Sequence, residues 1–144
     1  MGFSFFKKKK INALDSIETI IKDVENTPFG ISEENVLYAG LNELGGYYFF
    51  QTVVVGKLKV KTIDGATLIM KGVDTELEIK SDTPEFESDP SNIPSRHITK
   101  IDFQIEESDI EILKNSRITS IQLKTKKQDI LFTKHDGVGD EEEE

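Results

Sequence analysis

Lys57-Leu58-Lys59-Val60-Lys61-Thr62-Ile63-Asp64-Gly65-Ala66-Thr67-Leu68-Ile69-Met70 is the stretch on which the fold turns. Its first six residues alternate lysine with apolar or β-branched side chains, the two-residue period of a strand with one wet face. Asp64-Gly65 is a strong turn signal, and Thr67 to Met70 resume the strand, so the segment predicts a β-hairpin. A three-residue loop, with Thr62 opposite Leu68 and Val60 opposite Met70, keeps the apolar set on one face, whereas a slip of one residue reverses every side chain.

Strand patterns extend on both sides. Upstream, Tyr47 to Phe50 and Val53 to Val55 are aromatic and β-branched, and Gly56 marks a bulge or bend. Downstream, Val73, Thr75, Leu77 and Ile79 alternate with Asp74, Glu76, Glu78 and Lys80, and the three acids are expected to face Lys57, Lys59 and Lys61 across the ladder. Residues 81–96 hold three prolines and read as a long exposed connection. Thr99, Ile101, Phe103 and Ile105 then alternate as a strand, and Ser108-Asp109-Ile110-Glu111 fits a capping box that opens a helical turn or two. A closing hairpin runs from Thr119 through a turn at residues 126–129 to Thr133.

Before the sheet, Ile11, Leu14, Ile17, Ile20, Ile21 and Val24 recur at spacings of three and four, which predicts an amphipathic helix over residues 11–25, stopped by Asn26-Thr27-Pro28. Residues 32–44 fit two patterns. Ser32 ahead of Glu33 and Glu34, with Leu37, Leu41 and Leu44, suits a capped short helix, while Val36-Leu37-Tyr38 and Gly40 suit a strand; we take the helix. The expected architecture is α+β: an N-terminal amphipathic helix packed on a mainly antiparallel sheet of about five or six strands, with a short helix between late strands. Leu14, Ile17, Ile21, Val24, Phe50, Val60, Leu77, Ile79, Ile101, Phe103, Ile121, Leu123 and Phe132 are the expected core. One domain over residues 11–135 is flanked by a basic, aromatic segment (1–10) and an acidic tail (136–144).

Composition narrows the chemistry. The chain has 144 residues, no cysteine, no tryptophan and two histidines, His97 and His135. Disulfides, thiolate metal sites and cysteine nucleophiles are excluded. No Gly-Lys-Ser/Thr follows the glycines of residues 40–46, and no G-x-S-x-G occurs, so phosphate loops and the nucleophile elbow have no support. The net charge of −9 is concentrated in residues 73–144, which carry −10, and argues against nucleic acid as a partner. No apolar run approaches the roughly 20 residues of a membrane-spanning helix, and no export signal precedes the first lysines. Cytoplasmic placement follows.

Three functional readings remain. The leading one is a non-enzymatic binding domain without cofactor or metal, immunity-like, whose acidic loop (Asp82, Glu85, Glu87, Asp89) meets a basic partner protein. The second is a membrane-surface accessory protein, peripheral at the inner membrane face, tethered by Phe3, Phe5 and Phe6 with Lys7, Lys8, Lys9 and Lys10, each lysine gaining about 1 kcal/mol at an anionic surface. The third is a hydrolase built on a carboxylate pair or on His97 and His135 with Asp102 or Asp136. The ordinary reading of those histidines is two unrelated residues at the sheet's rim, and that of the acidic loop is a solvated surface.

Overall fold

The computed structural model describes residues 16–24 and 26–135. Among them the elements run α1 (Ile17–Asp23), β1 (Gly30–Ile31), β2 (Asn35–Leu44), β3 (Tyr47–Gly56), β4 (Lys61–Thr62), β5 (Thr67–Gly72) and β6 (Glu76–Lys80). They continue as β7 (Phe86–Glu87), β8 (Asp89–Pro90), β9 (His97–Ile105), α2 (Glu107–Asn115), β10 (Ile118–Lys124) and β11 (Asp129–Lys134). Nine strands make one antiparallel sheet in the order β6-β5-β10-β11-β1-β2-β3-β9-β8, and β4 and β7 form a separate small ladder. The fold is mostly β, which corrects the α+β expectation of a long helix on five or six strands.

The first correction lies in residues 32–44. Leu37, Leu41 and Leu44 have helical spacing, but Gly45 and Gly46, at φ 62° and 88°, supply the two left-handed residues of a type I′ turn. That turn pairs β2 with β3 over ten residues, from Leu44 opposite Tyr47 to Asn35 opposite Gly56. A long hairpin satisfies every backbone group on the shared side and buries Val36, Leu37, Tyr38 and Phe50, which a short helix here cannot do.

The second concerns the expected hairpin at residues 57–70. Val60 and Thr62 do not face Met70 and Leu68. Lys61 and Thr62 pair with Glu87 and Phe86, while β5 lies between β6 and β10, with Leu68 opposite both Ile79 and Leu123. Asp64-Gly65 still turns the chain: Gly65 has φ 77° and its N–H donates to the Pro84 carbonyl at 2.7 Å. The turn hands the chain from one ladder to another instead of folding it back on itself. Glu76 consequently sits opposite Lys71, and Glu78 opposite Ile69, not across from Lys57, Lys59 and Lys61.

Strand β9 and the β10–β11 hairpin lie where alternation places them, and Thr125 and Gln128 close the turn through backbone and hydroxyl bonds. The sheet curls into a half-barrel. Beyond β6, Ser81 bridges to Phe103 on β9, and the Asp82 N–H donates to the Asp102 carbonyl at 2.7 Å. The main core fills the concave side in cross-strand rows, such as Leu77-Met70-Ile121-Phe132 and Phe50-Phe103. Nine of the expected core residues belong to it: Phe50, Val60, Leu77, Ile79, Ile101, Phe103, Ile121, Leu123 and Phe132.

The two helices do different work. In α2, Glu106 and Asp109 form a reciprocal capping box, and Ile110 packs into the main core. In α1, Ser16 caps the N-terminus, and Ile20 packs with Val36, Tyr38 and Val55 on the convex face. Helix α1 is thus a seven-residue cover on the outside of β2 and β3. Leu14 and the rest of the expected helix before Ser16 lie outside the described residues.

Residues 81–95 are mostly exposed but tied down, and Arg96 is buried. Ser88 accepts from the Val60 N–H at 2.9 Å and shares a 2.7 Å hydroxyl bond with Thr99. Pro90 sits on an edge strand, where a missing N–H costs no ladder bond.

Candidate functional site

Strand β2 outruns its neighbour. β1 covers it only at Val36 and Leu37, so residues 39–44 continue with β3 on one side. The Leu37 carbonyl accepts from the Phe29 N–H at 2.7 Å and the Asn35 carbonyl from the Ser32 N–H at 2.9 Å, so these odd-numbered residues aim their backbone groups away from β3. The two-residue period then turns the N–H and C=O of Ala39, Leu41 and Glu43 to the open side. No backbone partner meets them there among the described residues.

Beside that open edge lies a cleft of about 420 Å3. Its floor is Phe29, Leu41 and Phe50, with Leu113 and Ile118 along the wall. Phe29 and Phe50 meet edge to face, ring centroids 5.5 Å apart at 71°. Leu41 is 44% exposed, unusual for a leucine on a core-facing row. At Gly40 a Cβ would touch nothing within 4 Å, so the sheet face there is uncovered.

Three cations line the cleft: Lys114 in the last turn of α2, Arg117 in the connection ahead of β10, and Lys134 at the end of β11. Lys134 Nζ sits 4.7 Å over the Phe29 ring and donates to the His135 carbonyl at 3.0 Å. Arg117 is brought in by Gly72: a Cβ there would lie 2.2 Å from the Arg117 carbonyl oxygen, so only glycine lets β5 come this close. None of the described residues lining the cleft is acidic.

Two other polar groupings flank β2. Tyr38 is buried beneath α1, and its hydroxyl has no hydrogen-bond partner among the described residues. Burial raises its pKa, and nearby Arg96 opposes that shift. The Arg96 side chain, 7% exposed, reaches Asp23 of α1 at 3.0 Å. At the hairpin tip, the carboxylates of Glu43 and Glu107 raise the pKa of Tyr48 by disfavouring a second negative charge.

The residues singled out by sequence are scattered. Asp82, Glu85, Glu87 and Asp89 are all exposed; Asp82 accepts from Gln104 at 2.7 Å, Glu87 lies opposite Lys61, and Asp89 opposite Ile98. His97 opens β9 between Gly56 and Pro90, whereas His135 follows β11, four strands away along the sheet, or roughly 19 Å at about 4.8 Å per strand. The structure does not bring the histidines together, and no group of metal-ligating side chains converges among the described residues. Phe3, Phe5, Phe6, Lys7, Lys8, Lys9, Lys10 and Asp136 lie outside the described residues. No helix among the described residues is long and apolar enough to cross a membrane.

Sequence reasoning missed the cleft. Its cations are spread from residue 114 to 134 with no local motif, and the one usable signal was Gly45-Gly46 between two apolar runs, the mark of a long hairpin. No protein-family model, curated protein or solved structure matches the chain.

Proposed function

We propose that this protein is a non-enzymatic binding domain that takes up an extended segment of a partner protein as an added strand on β2. One observation carries this reading: among the described residues, six residues of β2 run unpaired on one side, directly beside an apolar cleft. An incoming strand finds main-chain donors and acceptors at Ala39, Leu41 and Glu43, and its alternate side chains find the floor of Phe29, Leu41 and Phe50. Exposed edges are usually blunted by charge, proline or brevity, and residues 39–42 carry none of these devices. The acidic loop supports a basic partner less well, because Asp82 and Glu87 already face Gln104 and Lys61.

Leu41→Pro tests the proposal. The substitution removes an N–H that points away from β3, so the β2–β3 ladder keeps its bonds while the added strand loses a donor. With unchanged far-ultraviolet circular dichroism, strand uptake should fall at least about tenfold relative to Leu41→Ala, which retains the N–H. Equal binding by the two variants rules out strand addition at this edge.

A further inference from the structure

We infer that the segment received by β2 is acidic, although the chain as a whole carries −9. This rests on the strand-addition reading and adds the chemistry of the occupant. Long-range attraction by net charge favours a basic partner, but a bound side chain feels the groups within a few ångströms far more strongly than the average surface, because the field beyond about 8 Å is screened at physiological salt. Among the described residues lining the cleft those groups are the lysines Lys114 and Lys134, and none of the lining residues is an acid. The acid closest along the edge, Glu43, is two residues beyond Leu41 toward the hairpin tip, beside Tyr48, and limits the cationic stretch.

Side chains two positions apart on a strand share a face and sit about 6.7 Å apart. An apolar side chain seated on Phe29, Leu41 and Phe50 therefore places the residues two before and two after it at the rim, on the side of Lys114 and Lys134. A carboxylate at those positions gains charge-assisted hydrogen bonds at a partly dry rim, while an ammonium meets like charge. The occupant this cleft fits is an extended peptide with one central apolar residue flanked at alternate positions by Asp or Glu.

The test titrates the full chain with two end-capped heptapeptides, Thr-Glu-Thr-Leu-Thr-Glu-Thr and its counterpart with lysine for glutamate, following the amide resonances of Ala39, Leu41 and Glu43. The acidic peptide should bind at least about tenfold tighter at low salt, lose most of that preference near 1 M NaCl, and lose it outright in the Lys114→Glu/Lys134→Glu double variant. Equal or tighter binding of the basic peptide at the same amides overturns the acidic occupant and leaves strand addition standing. Neither peptide moving those amides takes strand addition down as well. Acidic-peptide affinity that rises more than about tenfold on deleting residues 136–144 makes the chain's own acidic tail the occupant and overturns an external partner.

Discussion

Replacing Phe103 by alanine probes the curvature that creates the cleft. Phe103 is fully buried, lies opposite Phe50 on β3, and bridges to Ser81 where the sheet closes on itself. Removing a fully buried ring costs about 3–5 kcal/mol, the transfer free energy of the lost atoms plus the cavity they leave. Stabilities of such domains are about 5–15 kcal/mol, so the loss is roughly 30–50% of the total for a domain in the middle of that range. With about 2.1 cal/mol/K of unfolding entropy per residue, about 120 residues give roughly 0.25 kcal/mol/K, and a 4 kcal/mol loss lowers Tm by about 16 °C. Urea titration and thermal melting measure both quantities. Lys100→Ala is the control, because Lys100 is exposed on the opposite face of the same strand and should change stability by no more than about 0.5 kcal/mol. A loss below about 1 kcal/mol at Phe103, or a larger one at Lys100, would mean that β9 is turned by one residue and that the concave core is misassigned.

Gly56→Ala should destabilise by at least about 3 kcal/mol in urea, since Gly56 has φ 153° and a Cβ there would lie 2.2 Å from the Glu34 carbonyl, whereas Gly40→Ala, with open space around it, should be neutral or slightly stabilising. Asp23→Ala should cost about 1–2 kcal/mol by urea titration, because it strips the carboxylate from the buried Arg96 guanidinium and releases α1; unchanged stability would show that Asp23 does not hold the helix. The Tyr38 phenol has its folded pKa raised above 10 by burial, so its contribution is complete below pH 10 and is lost as pH climbs through the folded value. Tyr38→Phe should flatten the fall of stability above pH 10 and, by deleting a buried hydroxyl without a partner, gain about 1 kcal/mol at neutral pH; an equally steep alkaline fall in the variant argues against this assignment.

Alternation told correctly that alternate side chains of β9, with Ile121, Leu123 and Phe132, point inward, because a half-buried strand leaves a two-residue imprint whatever strand lies beside it. Thr119, on the same alternating row, is instead exposed, because the register shifts between Ile118 and Ser120 and Ile118 takes the buried place. It did not tell who pairs with whom. Leu58, Val60 and Thr62 have the pattern of a hairpin arm, yet the partner of β4 is β7, more than twenty residues later and two residues long, too short to leave a pattern of its own. In residues 32–44 the leucine spacing suited a helix while Val36-Leu37-Tyr38 and Gly40 suited a strand, and the deciding information lay in Gly45-Gly46, outside the segment. The helix before β1 keeps the expected apolar spacing at Ile17, Ile20, Ile21 and Val24, but its placement on the convex face depends on Val36, Tyr38 and Val55 being buried from the outside, which periodicity within α1 does not encode. The cleft was hidden for a related reason: it exists because β1 is two residues long and β2 is ten, a mismatch of lengths that only the assembled sheet reveals.

Amide hydrogen exchange along β2, with and without the acidic heptapeptide, addresses strand addition most directly. The N–H groups of Tyr38, Gly40 and Asn42 face β3 and should exchange slowly in both states, while those of Ala39, Leu41 and Glu43 should exchange fast in the free chain and slow at least about tenfold when the peptide is bound. Protection of all six in the free chain, or no change at the three outward amides under saturating peptide, would contradict an open, strand-accepting edge.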